Sequence, residues 1–248
     1  MTDDIIKRAE DLAARCERTS SVTHTAFLTP AEQNTLTEWA KHLPDCRMVL
    51  CGGHTECERK AAFFLPFYME PEELDPAEYI CAIQVRAYFG EPSHRDYMGA
   101  ALGLGVKREW LGDIWVEANT ATLFCLKSVG RHICDGLDMV GRCSVKTNMP
   151  ELRYVKAPVR NVVKLTFCVR TMRFDAVCAG MFGLSRTKAA ELINLGDASL
   201  NYNTCTKCDA QVKTGDIISM RGCGKGVVGE QGGLSRKGRV FLTAEMYK

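Results

Sequence analysis

An α+β fold of three units is what this sequence predicts, and three observations carry the expectation. Helix-start signals and short apolar runs fill the beginning of the chain. The middle third alternates in the order strand–helix–strand–strand–helix–strand, the split βαβ order of a ferredoxin-like fold. The last third combines a helical stretch with several β-runs and holds a basic excess: from Arg173 to Lys248 there are 11 Lys and Arg against 7 Asp and Glu, whereas the rest of the chain is acidic by two. The units are expected at 1–76 (helical α+β), 77–160 (ferredoxin-like, RRM-like) and 172–248.

The elements follow in chain order. Residues 4–16 predict an amphipathic helix with Ile5, Ile6, Ala9, Leu12, Ala13 and Cys16 on one face. TPAEQ opens a second helix, with Thr29 as N-cap, Pro30 at the first helical position and Glu32 closing a capping box. RMVLCGG (47–53) reads as a short strand, and 71–79, rich in Pro and acid, as a linker. A strand is expected over 80–89, a helix over 93–105, a hairpin over 112–127 turning at Glu117–Ala118–Asn119, a helix over 128–141 and a strand over 142–148. Tyr88, Phe89, Trp115 and Phe124 are the aromatics available for base stacking, although strand aromatics belong to a core more often. A strand over 161–174 leads into the last unit. There GCGKGVVGEQGG reads as a glycine-rich loop at a hairpin tip.

One helix in that unit raises a physical question. Ser185 is placed to N-cap it, Leu184, Ala189, Leu192, Ile193 and Leu195 give its apolar side, and Gly196 suits the left-handed residue that ends it. Yet Arg186 and Lys188 occupy the first turn, where the helix dipole favours acids. An anionic group docking at that end would offset the cost.

Composition narrows the function classes. Net charge is +2, and no apolar run is long enough to span a bilayer. The first residues lack the pattern of a secretory signal, so the 13 cysteines are expected as reduced thiols in a cytoplasmic setting. HRD at 94–96 lacks the rest of a kinase signature, and GLGVK is not a phosphate loop. Cys205 and Cys208 have zinc-knuckle spacing without a second pair, so neither metal nor cofactor is expected. No nucleophile–base pair stands out, which points to a binding protein and away from an enzyme. Cations at turns and helix starts suit phosphate backbones, Arg more than Lys because its planar fork binds bidentately.

A resemblance sharpens this. Arg173-Phe-Asp175, Leu184-Ser-Arg-Thr-Lys-Ala-Ala-Glu-Leu-Ile193, Gly196, Asn201, Lys213-x-Gly-Asp216 and Ser219-Met-Arg-Gly222 resemble the S4 RNA-binding domain, with Phe174, Ala198 and Leu200 as departures. FLTPAEQ, GGHTECERK, HRDYMGAALGLGVKREWLGDI and SRKGR resemble the YlmH family of bacterial S4 proteins, with one departure near His54 and Cys57. The resemblance implies a non-enzymatic, monomeric, cytoplasmic RNA-binding protein. Its implied partners are rRNA of the large ribosomal subunit and peptidyl-tRNA, in the rescue of stalled translation, with no membrane partner. It also implies a link to cell division; a division-associated interaction protein and an accessory RNA-modification factor are the alternatives. By motif, Arg173 and Arg186 are the principal RNA contacts, with Ser185, Thr187, Lys188, Asn201, Arg221, Lys225, Lys237 and Arg239 around them. A second patch at His94, Arg95, Lys107 and Arg108 is expected to dock locally.

Overall fold

Helix α1 (Thr2–Thr19) has Asp3 and Asp4 in its first turn and Arg18 in its last, each at the end of the helix dipole that favours it. In the computed structural model the described residues are 2–43, 47–158, 162–234 and 238–247, and the chain divides into two compact units, 1–158 and 159–248. After β1 (Thr23–His24), α2 (Pro30–Ala40) starts at the expected capping box: the Thr29 side chain accepts from the Glu32 N–H, and Glu32 accepts from the Thr29 N–H at 2.7 Å. Strands β2 (Met48–Cys51) and β3 (Ala61–Phe64) complete an antiparallel sheet of order β1-β3-β2.

Every residue of β3 is buried, because the strand is covered on both faces. Ala62 and Phe64 pack with Leu36 and Ala9, while Ala61 and Phe63 pack with Ile80 and Leu126. The expected linker at 71–79 is instead packed structure. It forms two 3₁₀ turns, Pro71–Glu73 and Pro76–Glu78, around a buried Leu74.

The middle of the chain has the ferredoxin-like order. It runs β4 (Ile80–Ala87), α3 (His94–Gly103), β5 (Leu111–Glu117), β6 (Thr120–Leu126), α4 (Lys127–Gly136), β7 (Met139–Val140) and β8 (Cys143–Asn148). The sheet order is β5-β6-β4-β8-β7, all antiparallel. The expected helix over 128–141 stops at Gly136, and Met139–Val140 turn back as a fifth, edge strand. Ile83, Val85, Leu123 and Cys125 face a core with Tyr97, Ala101 and Ile133 of the two helices. On the opposite face Ala82 and Phe124 lie beneath Cys57 and Val155. The Gly52–Gly53 turn permits this approach: Gly53 has φ 91, and a Cβ there would stand 2.9 Å from Ile80 and 3.1 Å from Phe124.

The second unit contains β9 (Val162–Val169), α5 (Phe174–Phe182), α6 (Arg186–Asn194), β10 (Ala198–Leu200), β11 (Asn203–Thr204), β12 (Ile217–Met220), β13 (Gly224–Leu234) and β14 (Val240–Tyr247). Its sheet order is β11-β10-β12-β13-β14-β9. Phe174, Val177, Cys178, Met181, Ala189 and Ile193 pack against Ile218, Met220, Val228 and Leu242. The glycine-rich stretch expected as a loop is the 11-residue strand β13. Its glycines admit close neighbours: a Cβ at Gly226 would meet Met246 at 2.6 Å and the Glu245 carbonyl at 2.7 Å.

Candidate nucleic-acid interface

The site grows from the turn between α5 and α6. Gly183 ends α5 in the left-handed conformation (φ 64), and Ser185 then N-caps α6 by accepting the Lys188 N–H at 3.1 Å. Arg173 takes the N-cap position of α5 without capping it through its side chain. The first amides of α5 are satisfied elsewhere, Phe174 N–H by the Ala210 carbonyl at 2.8 Å and Asp175 N–H by the Cys208 carbonyl at 3.0 Å. These two helix starts converge on Asp175, a carboxylate 6% exposed in the first turn of α5.

Two guanidinium groups grip that carboxylate. Arg173 donates from Nε to Oδ1 at 3.1 Å and from Nη2 to Oδ2 at 3.3 Å. Arg186 donates from Nε to Oδ2 at 3.2 Å and from Nη2 to both oxygens at 3.0–3.3 Å. Burial alone would push the Asp175 carboxyl up, but the hydrogen bonds and charges of the two arginines outweigh it and hold the group below the usual carboxylate range. The same contacts raise the Arg173 guanidinium further above its ordinary value. Both arginine side chains remain substantially exposed, at 38% and 54%. The Asp175 contacts use Nε and Nη2 and leave Nη1 of each for an outside acceptor. The cluster carries two positive charges against one negative, a geometry suited to a phosphate oxygen.

The other expected contacts are arranged differently. Thr187 and Lys188 are exposed on the first turn of α6, and Lys188 pairs with Glu191 at 3.0 Å. Arg221, 85% exposed in its side chain, reaches Asp197 at 3.5 Å. That places it beyond the far end of α6, about 13 Å along the helix from Arg186, away from the arginine pair. Asn201 turns its side chain to the start of β12, donating to Asp216 at 2.9 Å and accepting the Ile217 N–H at 2.9 Å. It has φ 49 and Tyr202 has φ 66, the two-residue hairpin loop that joins β10 to β11. Lys225 lies over the rings of Tyr202 at 4.6 Å and Tyr247 at 5.6 Å. Arg239 is exposed, and Lys237 lies outside the described residues. Leu195, expected on the apolar side of α6, is 74% exposed because it follows the last helical residue.

Cys205 and Cys208 act as a strap. Their loop caps α5, and the Cys208 thiol donates toward Asn194 at 3.6 Å. Burial pushes the neighbouring Cys178 thiol up to about 12. Among the described residues no group of three or more His, Cys, Asp or Glu is arranged to hold a metal ion.

In the first unit His94 begins α3, N-capped by Ser93, and Arg95 is exposed beside it. Burial and then the charge of Arg108 hold the His94 imidazole below its ordinary pKa, against a smaller opposing pull from Asp113. Arg108 donates to the Leu111 carbonyl at 2.8 Å, while Lys107 turns over the Trp110 ring at 5.3 Å. Sequence reasoning missed Arg59 and Asp113. Arg59 donates to the Leu111 carbonyl at 3.2 Å and the Phe27 carbonyl at 2.8 Å, and Asp113 accepts the N–H groups of Glu58 at 2.6 Å and Arg59 at 3.1 Å. The four candidate aromatics do not form one platform. Phe124 is fully buried, Trp115 is half-buried with its ring 4.7 Å from Phe124, and Tyr88 and Phe89 are exposed.

Comparison with known proteins gives a consistent picture. A family model described as "YlmH, N-terminal" matches residues 2–64, and one described as "Putative RNA-binding domain in YlmH" matches residues 71–154. The chain is 29% identical over 224 residues to "Ribosome-associated protein quality control protein P2" of Bacillus subtilis (strain 168), covering 90% of this chain and 87% of that protein. The solved structure "Cell division protein ylmH from Streptococcus pneumoniae" shares the fold at 20% identity and a TM-score of 0.53, over 62% of this chain and 94% of that one.

Proposed function

Because the chain belongs to the YlmH family, we propose that it is a non-enzymatic, cytoplasmic RNA-binding protein that docks on the large ribosomal subunit and serves in quality control of stalled translation. Its C-terminal unit, read as an S4 domain, contacts rRNA and peptidyl-tRNA. The name of the Bacillus subtilis relative supports the ribosomal setting. The observation that carries the reading is the pair of arginines fixed on Asp175 at the starts of two helices. Such a pair binds phosphate by position and charge alone, and no bond need be made or broken. Lys188 and Thr187 widen the contact on the same helix turn.

Sedimentation of the tagged chain from cells tests this. The wild type is expected to comigrate with large subunits and an arginine-pair variant to remain at the top of the gradient. The structure dictates the variant's design. Replacing Arg173 and Arg186 alone would leave Asp175 buried and unpaired, a fold defect in itself. R173Q/R186Q should therefore carry D175N, which removes the orphaned charge. Comigration of that folded triple variant with large subunits would overturn the proposal.

A further inference from the structure

The structure assigns a second RNA site to the exposed half of the central sheet. This inference deepens the RNA-binding reading: the family model over residues 71–154 already carries an RNA-binding description, and the inference supplies the surface and the ligand class, on a different unit and different residues from the arginine pair. On the face of this sheet away from α3 and α4, strand register sets out rows of side chains. The rows at Ile80–Leu126 and Ala82–Phe124 are buried under the N-terminal strands and residues Cys57, Leu152 and Val155. Phe124, the one central-strand aromatic on this face, is therefore closed to any base. The next two rows are bare on β4 and β8: Gln84–Asn148, then Arg86–Lys146, flanked on β6 by the half-buried Thr122 and Thr120.

The bare rows have a composition that packing does not explain. Arg86 and Lys146 sit directly opposite one another on paired strands, and both are exposed. Like charges directly opposed across a ladder destabilise a sheet. Neither enters an ion pair among the described residues; of the acids on this face, Asp113 is taken up by the Glu58 and Arg59 N–H groups, and Glu117 sits two strands from Arg86 across Thr120. An anionic ligand spanning the two cations would remove the repulsion, and a ribose-phosphate backbone supplies one. Beside them Gln84 and Asn148 present amides, joined by an Asn148-to-Gln84 hydrogen bond at 3.3 Å. Tyr88, next in the alternation after Arg86, is 69% exposed. Cations for phosphate, amides for base edges and a free ring for stacking together specify single-stranded RNA, whose unstacked bases a flat sheet can accept and a duplex cannot offer.

The test uses the full chain and a fluorescein-labelled 12-nucleotide RNA of mixed sequence without secondary structure, read by anisotropy at several salt concentrations. The measurements are made in the D175N/R173Q/R186Q background, which silences the C-terminal site. That background is expected to retain oligonucleotide binding. Adding R86A/K146A should weaken it at least tenfold and flatten the salt slope by about 1.4, from two lost single-strand phosphate contacts. Y88L should weaken it about fivefold or more without changing the slope. Both changes lie on exposed side chains, and far-UV circular dichroism verifies the fold. The inference is overturned if the triple variant already binds no oligonucleotide, if R86A/K146A leaves binding unchanged, or if a duplex or an acidic peptide competes better than single-stranded RNA. Failure of the ribosomal reading would register separately, in the sedimentation experiment.

Discussion

Asp175→Asn isolates what the buried carboxylate does for the two arginines. The substitution keeps the shape and the hydrogen-bonding oxygen but removes the charge and converts one acceptor into a donor facing two donors. Charge-assisted hydrogen bonds are worth about 1.5–3 kcal/mol each when shielded. Arg173 and Arg186 are both more than a third exposed, so solvent screening lowers their share, and the stability loss is about 1–2 kcal/mol in all. The effect on RNA binding comes from two opposing terms. Unanchored, each arginine must be ordered on binding, at about 0.5–1.5 kcal/mol per side chain, so about 1–3 kcal/mol for the pair. Removing a negative charge about 6 Å from a phosphate in a water-like dielectric returns roughly 0.7 kcal/mol. Ordering wins, and affinity for purified large subunits should fall about two- to fiftyfold. The salt slope should stay the same, because the number of phosphate contacts is unchanged; R173Q/D175N should lower it by about one. Binding by D175N as tight as the wild type's, or tighter, in a folded protein would refute the reasoning. The carboxylate would then be a brake on the arginines, not their anchor.

Other consequences are open to direct measurement. Because Asp175 is held below the usual carboxylate range, its contribution is present above about pH 4 and lost as pH falls through its lower folded value; the stability gap between wild type and D175N, from denaturant unfolding followed by circular dichroism, should be constant above about pH 4 and shrink as pH falls below it. His94 has the opposite arrangement for a base. Its folded pKa is depressed, so below about pH 6.5 the unfolded chain takes up a proton that the folded chain does not, and stability falls as pH drops through that window. An NMR titration should place the His94 midpoint below 6.5, and H94Q should lose that part of the slope. Gly180→Ala forces a methyl into the Phe167 ring where α5 crosses β9, and should cost about 1–3 kcal/mol in denaturant unfolding. Thr29→Ala opens the capping box of α2 and should cost about 1 kcal/mol by the same measurement.

Local signals in the sequence are legible where a single residue type answers a single backbone need. Thr29 with Glu32, Ser185 before Arg186, and Gly196 after α6 each sit where the chain's own caps require them. Long-range packing is not legible in the same way. AAFF (61–64) carries no alternation, because both faces of β3 are covered. The glycines of β13 look like a loop because the close approach of Met246 and Thr243, which selects them, is invisible in a linear pattern. DMV (138–140) resembles the tail of a helix, and only pairing with β8 makes it a strand. Among the site residues, Arg173 and Arg186 are readable as cations at helix starts. Their convergence depends on the α5–α6 turn; Asp175 is legible as a member of the Arg173-Phe-Asp175 motif, but its role as the shared anchor of both arginines is not.

The central sheet shows why a site can be half legible. Residues 80–86 read as a strand with one apolar face, and the sequence does not say that the other face is divided. Ile80 and Ala82 are small or apolar on the second face because Phe63, Cys57 and Val155 cover them. Gln84 and Arg86 are polar on that face because nothing does. The change from apolar to polar within one period-two series therefore marks the edge of the cover laid by the N-terminal strands together with Cys57, Leu152 and Val155. A polar stretch produced by exposure alone would select against like charges in register, as solvent-facing sheet surfaces do. Arg86 opposite Lys146 departs from that rule, which is why exposure alone does not account for it and an anionic occupant does.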